Sequence, residues 1–175
     1  MEVANCGGIM NIDEKLVIDD FLDKSYLKKL QDIFLGINIP WKYSPDVVHE
    51  NSDKETNFFY MTHTIFNVLD YTEMLYIDKV SYDVILPLLK QLNCNSLMRV
   101  KLNLYPNQGK VIEHKRHVDY PFSHQGAVFS LNTTDGYTIL EDGTKVESVE
   151  NRLFLFDASK PHSSTSPSNV KSKYS

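Results

Sequence analysis

The sequence predicts an α+β fold that is mainly β, with a helical N-terminal support packed on a C-terminal β-roll. Three observations carry that expectation. Past Leu97 the chain breaks into short alternating or apolar runs with turn signals about ten residues apart, the spacing of an antiparallel sandwich or barrel. Apolar residues three and four apart, the helical period, stand out in two stretches, both before Leu97. The composition, 42% hydrophobic and 23% charged over 175 residues, is globular, and its ten Tyr and nine Phe come with few helices to hold them.

Residues 1–12 contain Gly7 and Gly8 and no periodic pattern, and are expected to be flexible. One domain is expected over 13–175, with 13–96 as support and 97–175 as β core. Leu16, Ile18 and Phe21 predict a short strand and turn. Ser25 is placed to cap a helix that carries Leu27, Leu30, Ile33 and Phe34 on one face, and Gly36 supplies a stop. Trp41 and Tyr43 open an extended stretch, 44–56 is polar loop, and 57–66 is rich in the aromatic and β-branched residues of a strand. Val84, Ile85, Leu88, Leu89 and Leu92 make 80–92 an amphipathic helix despite Pro87. Val100, Leu102 and Leu104 then alternate with Arg99, Lys101 and Asn103, as in a strand half-buried with its polar face outward. Residues 127–131 form another strand, and 137–140 and 144–146 flank the hairpin signal Glu141-Asp142-Gly143. The unbroken apolar run 153–156 suits a strand buried on both faces.

Several function classes are disfavoured at this point. A net charge of −5 argues against sequence-independent nucleic-acid binding, which relies on neutralising phosphates. No apolar run approaches the ~20 residues that span a bilayer. The start Met1-Glu2-Val3-Ala4 has no basic or apolar leader region, and the two cysteines, Cys6 and Cys94, are too few for a disulfide framework, so a cytoplasmic location is expected.

The residues able to do chemistry lie in the second half. His117 and Asp119 are two apart, so in extended chain both point to one face, and His162 follows the run 153–156. Two imidazoles and one carboxylate on one face of an octahedron hold Fe(II) and leave positions open, as in non-haem iron oxygenases. Such a centre needs an electron source. 2-Oxoglutarate provides one as it decarboxylates: its keto-acid end chelates iron, and its far carboxylate, once buried, needs a cation or several donors. Lys171 and Lys173 both offer a cation and share parity; Ser175, two residues past Lys173, would point the same way, which favours Lys173. Other polar residues read as structural. His114, three from His117, falls on the opposite face and is expected at the surface; His124 is expected in a solvated loop; His63 and Glu113 have no partner pattern. Phe58-Phe59-Tyr60 reads as packing, Asp157 as a bracket to the loop before His162, and Cys94 as a small buried hydrophobe.

Leu104-Tyr105-Pro106, His117-Val118-Asp119, Ser130-Leu131-Asn132, Phe154-Leu155-Phe156-Asp157, Pro161-His162 and Lys173-Tyr174-Ser175, in that order, resemble the 2-oxoglutarate- and Fe(II)-dependent dioxygenase superfamily. The resemblance is strongest to its prolyl-hydroxylase-like branch and to small oxygenases of phage genomes. It implies a double-stranded β-helix (jelly-roll, cupin-like) for the core, with His117, Asp119 and His162 as iron ligands. Lys173 takes the position of the basic residue that binds the distal carboxylate, and Tyr105 that of a tyrosine whose hydroxyl assists. Ser130 stands where some relatives have a second tyrosine. Most relatives carry Arg rather than Lys at the clamp; Lys supplies a point charge and three donors in place of a fork. The implied activity is hydroxylation of an unactivated C–H bond with Fe(II), 2-oxoglutarate and O2, releasing succinate and CO2. A prolyl or other peptidyl or amino-acid substrate is expected, met by Trp41, Tyr43 and residues 120–123. Asp119 favours hydroxylation, because related halogenases have a small residue there. The rival class is a non-catalytic β-roll, a binding or structural domain of viral type that keeps the fold. Relatives continue for several residues past the basic position, so the last strand is expected to be truncated, with Lys173 on a fraying edge.

Overall fold

A computed structural model describes residues 15–45, 59–68, 75–94 and 96–175. The expectations for 1–12, Cys6, Asn57, Phe58 and all of the 44–56 loop beyond Pro45 fall outside these residues. In chain order the elements are β1 (Leu16–Ile18), α1 (Lys24–Phe34), β2 (Lys42–Ser44), β3 (Tyr60–Asn67), β4 (Tyr76–Ile77) and α2 (Lys79–Gln91). Then come β5 (Arg99–Pro106), β6 (Gln125–Phe129), β7 (Tyr137–Leu140), β8 (Lys145–Glu147), β9 (Leu153–Asp157), β10 (His162–Ser164) and β11 (Ser172–Tyr174). All strand pairings are antiparallel. One sheet of five strands runs β11-β5-β3-β2 with β4 beside β3; two sheets of three run β1-β9-β6 and β10-β7-β8. Among the described residues no helix is long and apolar enough to cross a membrane.

The two helices form where the apolar spacing places them, but their ends are set by other residues. Asp23, not Ser25, caps α1: its carboxylate accepts the Tyr26 backbone N–H at 2.9 Å, and the Ser25 hydroxyl donates to the same carboxylate. A charged acceptor at the positive end of a helix outcompetes a neutral hydroxyl. α1 closes at Leu35, whose N–H bonds to the Gln31 carbonyl, one residue ahead of Gly36. Asp78 caps α2 through the Ser81 N–H and also binds His63 Nε2 at 2.9 Å. His63 therefore has the partner its sequence context did not suggest, and it ties β3 to the start of α2.

Leu27, Leu30 and Phe34 of α1 and Ile85, Leu88 and Leu89 of α2 share one buried cluster with strand residues that include Ile65, Val100, Leu102, Phe129 and Leu153. In β9, Leu153 and Leu155 join this cluster, while Phe154 and Phe156 turn to a second one with Leu140 and Ala158. The strand is thus covered on both sides, as its unbroken apolar run requires. Cys94 is half-buried at the margin of the main cluster rather than fully enclosed. The β7–β8 turn carries Gly143 at φ +85°, and the Gly143 N–H donates to the Leu140 carbonyl at 3.0 Å.

The last strand corrects an expectation. β11 is short, yet neither of its edges is loose. Along one edge it pairs with β5, Lys173 opposite Tyr105, and Asn103 and Ser175 exchange N–H···O bonds of 2.7 and 3.1 Å. Along the other, the Leu131 N–H donates to the Tyr174 carbonyl, while the Asn132 amide donates to the Ser172 carbonyl and accepts from the Tyr174 N–H, both at 2.9 Å. One asparagine side chain does what a neighbouring strand would do, so the edge is satisfied and Lys173 is 2% exposed.

Candidate active site

Strand β5 separates two environments. Val100 and Leu102 belong to the helical cluster, while Asn103 and Tyr105 line a cavity on the other side rather than facing solvent. Asn103 is 2% exposed and Tyr105 4%. The outward polar face expected for this strand is therefore an inward one, because the β10-side segments close over it. Asn103, Tyr105, His117, His162, Ser163 and Lys173 line one narrow cavity whose free space, ≈ 20 Å³, is about that of a single water.

Two of the lining residues, His117 and His162, are put side by side by the fold. They form an isolated antiparallel bridge, each N–H donating to the other's carbonyl at 2.9 Å, and their ring centroids are 4.6 Å apart. A hydrogen-bonded antiparallel pair holds its two side chains on the same face. The Asp119 N–H bonds to the Ala158 carbonyl at 3.1 Å, which carries the carboxylate to the same place. Asp119 Oδ2 is 3.9 Å from His162 Nε2, Oδ1 is 4.0 Å from His117 Nε2, and the ligand atoms of all three residues lie within 4.8 Å of one another. His162 Nδ1 is 3.0 Å from the Lys160 carbonyl. A carbonyl only accepts, so Nδ1 carries the proton and Nε2 presents a lone pair toward Asp119. Asp157 builds the turn that supplies this carbonyl, accepting from the Ser159 N–H and hydroxyl and pairing with Lys160 at 3.3 Å. Two imidazoles and a carboxylate with an open side suit Fe(II) as a donor set.

Lys173 lines the same cavity. Its Nζ sits 4.7 Å from the centroid of the Tyr105 ring, which stacks on Tyr60 at 5.4 Å. Burial alone pushes the ammonium down to about 7, with no acidic group among the described residues to offset it. Two buried acceptors or donors of the cavity wall, Asn103 Oδ1 and Ser163 Oγ, make no hydrogen bond. A buried ammonium and an unpartnered hydroxyl on one cavity wall are donors that a bound anion would satisfy, while Asn103 Oδ1, an acceptor, calls for a donor such as a hydroxyl or water. Lys171, which parity could not separate from Lys173, is exposed because it precedes the strand. Ser175 lines the cavity; Ser130 does not, its N–H being held by the Arg152 carbonyl.

Two histidines differ from expectation. His114 is 6% exposed rather than at the surface. Its Nδ1 is 2.9 Å from Ser164 Oγ, its ring is 5.0 Å from that of Tyr105, and burial, then the charges of Lys173 and His117, hold it down to about 3. Counting parity from His117 fails because the segment between them is held by isolated bridges, not a regular strand. His124 is 0% exposed rather than solvated, its Nδ1 2.7 Å from the Phe122 carbonyl and its ring beside Tyr120 and Phe122. The loop folds back because the Ala158 N–H bonds to the His124 carbonyl. Neither Trp41 nor Tyr43 lines the cavity: Trp41 packs on Tyr174, on the opposite face of β11 from Lys173, and Tyr43 is 64% exposed.

Sequence reasoning missed Asn103, Ser163 and Arg99. Arg99 Nη2 donates to Asp119 Oδ1 at 2.8 Å. The signal available was parity, since Arg99, Asn103 and Tyr105 fall on one face of a single strand.

No protein-family model matches the chain, and no curated protein does. Solved structures do. A prolyl-4-hydroxylase of Pseudomonas putida superposes with a TM-score of 0.55 at 15% identity, over 91% of this chain and 88% of that one. A prolyl hydroxylase of Trichoplax adhaerens, in complex with a hypoxia inducible factor oxygen degradation domain peptide fragment, superposes with a TM-score of 0.57 at 15% identity, over 91% and 80%. The chain has the fold of these enzymes.

Proposed function

We propose that the protein is a 2-oxoglutarate- and Fe(II)-dependent hydroxylase whose core is a double-stranded β-helix. The observation that carries this reading is a single cavity lined both by His117 and His162, which cluster with the Asp119 carboxylate, and by a buried lysine with no acid beside it among the described residues. His117, Asp119 and His162 would hold the iron, and iron with 2-oxoglutarate and O2 supplies an oxidant strong enough to hydroxylate an unactivated C–H bond, with succinate and CO2 as by-products. Lys173 binds the distal carboxylate of the co-substrate as a point charge, and Tyr105 and Ser175 contribute hydroxyls. The ammonium must swing off the Tyr105 face to do so, since the cavity is narrow before the co-substrate enters. His162 is kept in its ligating tautomer by the Lys160 carbonyl. Phe156, in edge contact with the His162 ring at 4.9 Å, and Val128 give the pocket an apolar wall that excludes water. Asp119 fills the position that a halide would need, which favours hydroxylation. A peptidyl proline is the substrate we favour, because a fold neighbour holds a peptide.

Anaerobic titration with Fe(II) and 2-oxoglutarate tests the reading. A visible charge-transfer band that His162→Ala abolishes is expected, together with succinate release in air. Absence of the band from the intact protein would leave the non-catalytic β-roll.

A further inference from the structure

Arg99 forms an ion pair with Asp119, one of the candidate metal ligands. It begins β5, six residues before Tyr105 and on the same strand face, so the strand that carries part of the anion clamp also reaches the metal end of the site. Its Nη2 donates to Asp119 Oδ1 at 2.8 Å, and the carboxylate so held is 7% exposed. The guanidinium is itself fixed, lying 5.2 Å from the centre of the Tyr120 ring, and Tyr120 in turn stacks on Phe122 at 5.4 Å. Among the described residues Asp119 Oδ2 has no hydrogen-bond donor, and it lies 3.9 Å from His162 Nε2.

From this arrangement we infer that Arg99 is a positioning residue for the metal centre. It occupies Asp119 Oδ1, and so presents Oδ2 as a single-oxygen ligand beside the two imidazoles. The inference rests on the proposed metal site and adds to it a residue that binds no metal. Two effects oppose each other: a guanidinium withdraws charge from the carboxylate, and it removes the carboxylate's freedom to rotate. Asp119 has few other tethers, and partners of ligating groups typically contribute ten- to a hundred-fold to metal affinity, so the orienting effect is expected to prevail.

The test uses the full chain and Co(II), whose visible spectrum reports ligand number as well as affinity. Arg99→Met is expected to bind Co(II) about tenfold or more weakly than the parent, with an altered visible band. Arg99→Lys, which restores a cation, is expected to recover part of the loss. In an Asp119→Ala background, Arg99→Met should change the residual Co(II) affinity little, because the arginine acts through that carboxylate. Unchanged or tighter binding by Arg99→Met, an equal loss in both backgrounds, or failure of Arg99→Met and Arg99→Gln alike to fold would overturn the inference and make Arg99 a structural residue. A parent protein that takes up no Co(II) removes the metal site itself, and the inference falls with it.

Discussion

The two sides of β5 show what burial does under opposite rules. On one side Val100 and Leu102 meet helices through Leu30, Phe34, Ile85 and Leu88, and every contact is completed by another apolar side chain of the same protein. On the other side Asn103, Tyr105, His114, Ser163 and Lys173 are buried as deeply, and the set remains unfinished. Asn103 Oδ1 and Ser163 Oγ lack partners, and Lys173 is buried with no acid beside it among the described residues. The dry side is built for stability alone. The polar side costs stability in the free protein, and a polar ligand that completes it would return that free energy as binding.

The largest break in this contrast comes from the dry side. Phe34→Ala, at a fully buried position, should cost about 3–5 kcal/mol in urea unfolding and leave the charge-transfer band of whatever protein remains folded unchanged.

Lys173→Met should do the reverse. The folded-state pKa of about 7 lies below the ordinary lysine value, so the unfolded chain binds the extra proton between those limits, and folding is penalised fully below about 7 and progressively less as pH rises toward 10.5. Removing the ammonium should therefore stabilise the free protein by roughly 1–4 kcal/mol near pH 6, with the gain fading in alkali, while co-substrate binding is lost. The same pKa makes a sharper test in the parent protein. A bound carboxylate raises it, so calorimetry in buffers of different ionisation enthalpy should show proton uptake on 2-oxoglutarate binding above pH 7.

His114 gives a smaller effect of the opposite pH range. Its pKa, held down to about 3, means that the unfolded state takes a proton the folded state refuses as pH falls below the usual histidine value. Stability should decline from about pH 6.5 toward 3, and His114→Leu should flatten that slope relative to the parent in paired melts. The smallest change expected is outside both regions: Gly143→Ala forces a side chain into φ +85° and should cost about 1–2 kcal/mol without altering ligand binding.

Much of the site was legible because its chemistry is local. His-x-Asp on extended chain carries its own geometry, and the apolar run before His162 marks the strand that leads to it. Helix positions were legible from their period, although Asp23 and Asp78 set the starts. The failures share one cause. Parity arguments for His114, and for the polar face of β5, assume a regular strand with solvent on its far side, and here irregular segments fold back and cover it. Parity puts Arg99 on the face of Asn103 and Tyr105, but its pairing with Asp119 needs the start of β5 to reach the loop of Asp119.

The sequence by itself determined which residues could do the chemistry, where the helices lie and that the second half is β, because residue type and short-range period suffice for each. Tertiary structure decided the rest. It buried Lys173 and left Lys171 exposed, enclosed His114 and His124, secured β11 through Asn132, and joined Arg99 to Asp119. Each of these depends on which segment covers which face, and such long-range pairing leaves no trace in local spacing.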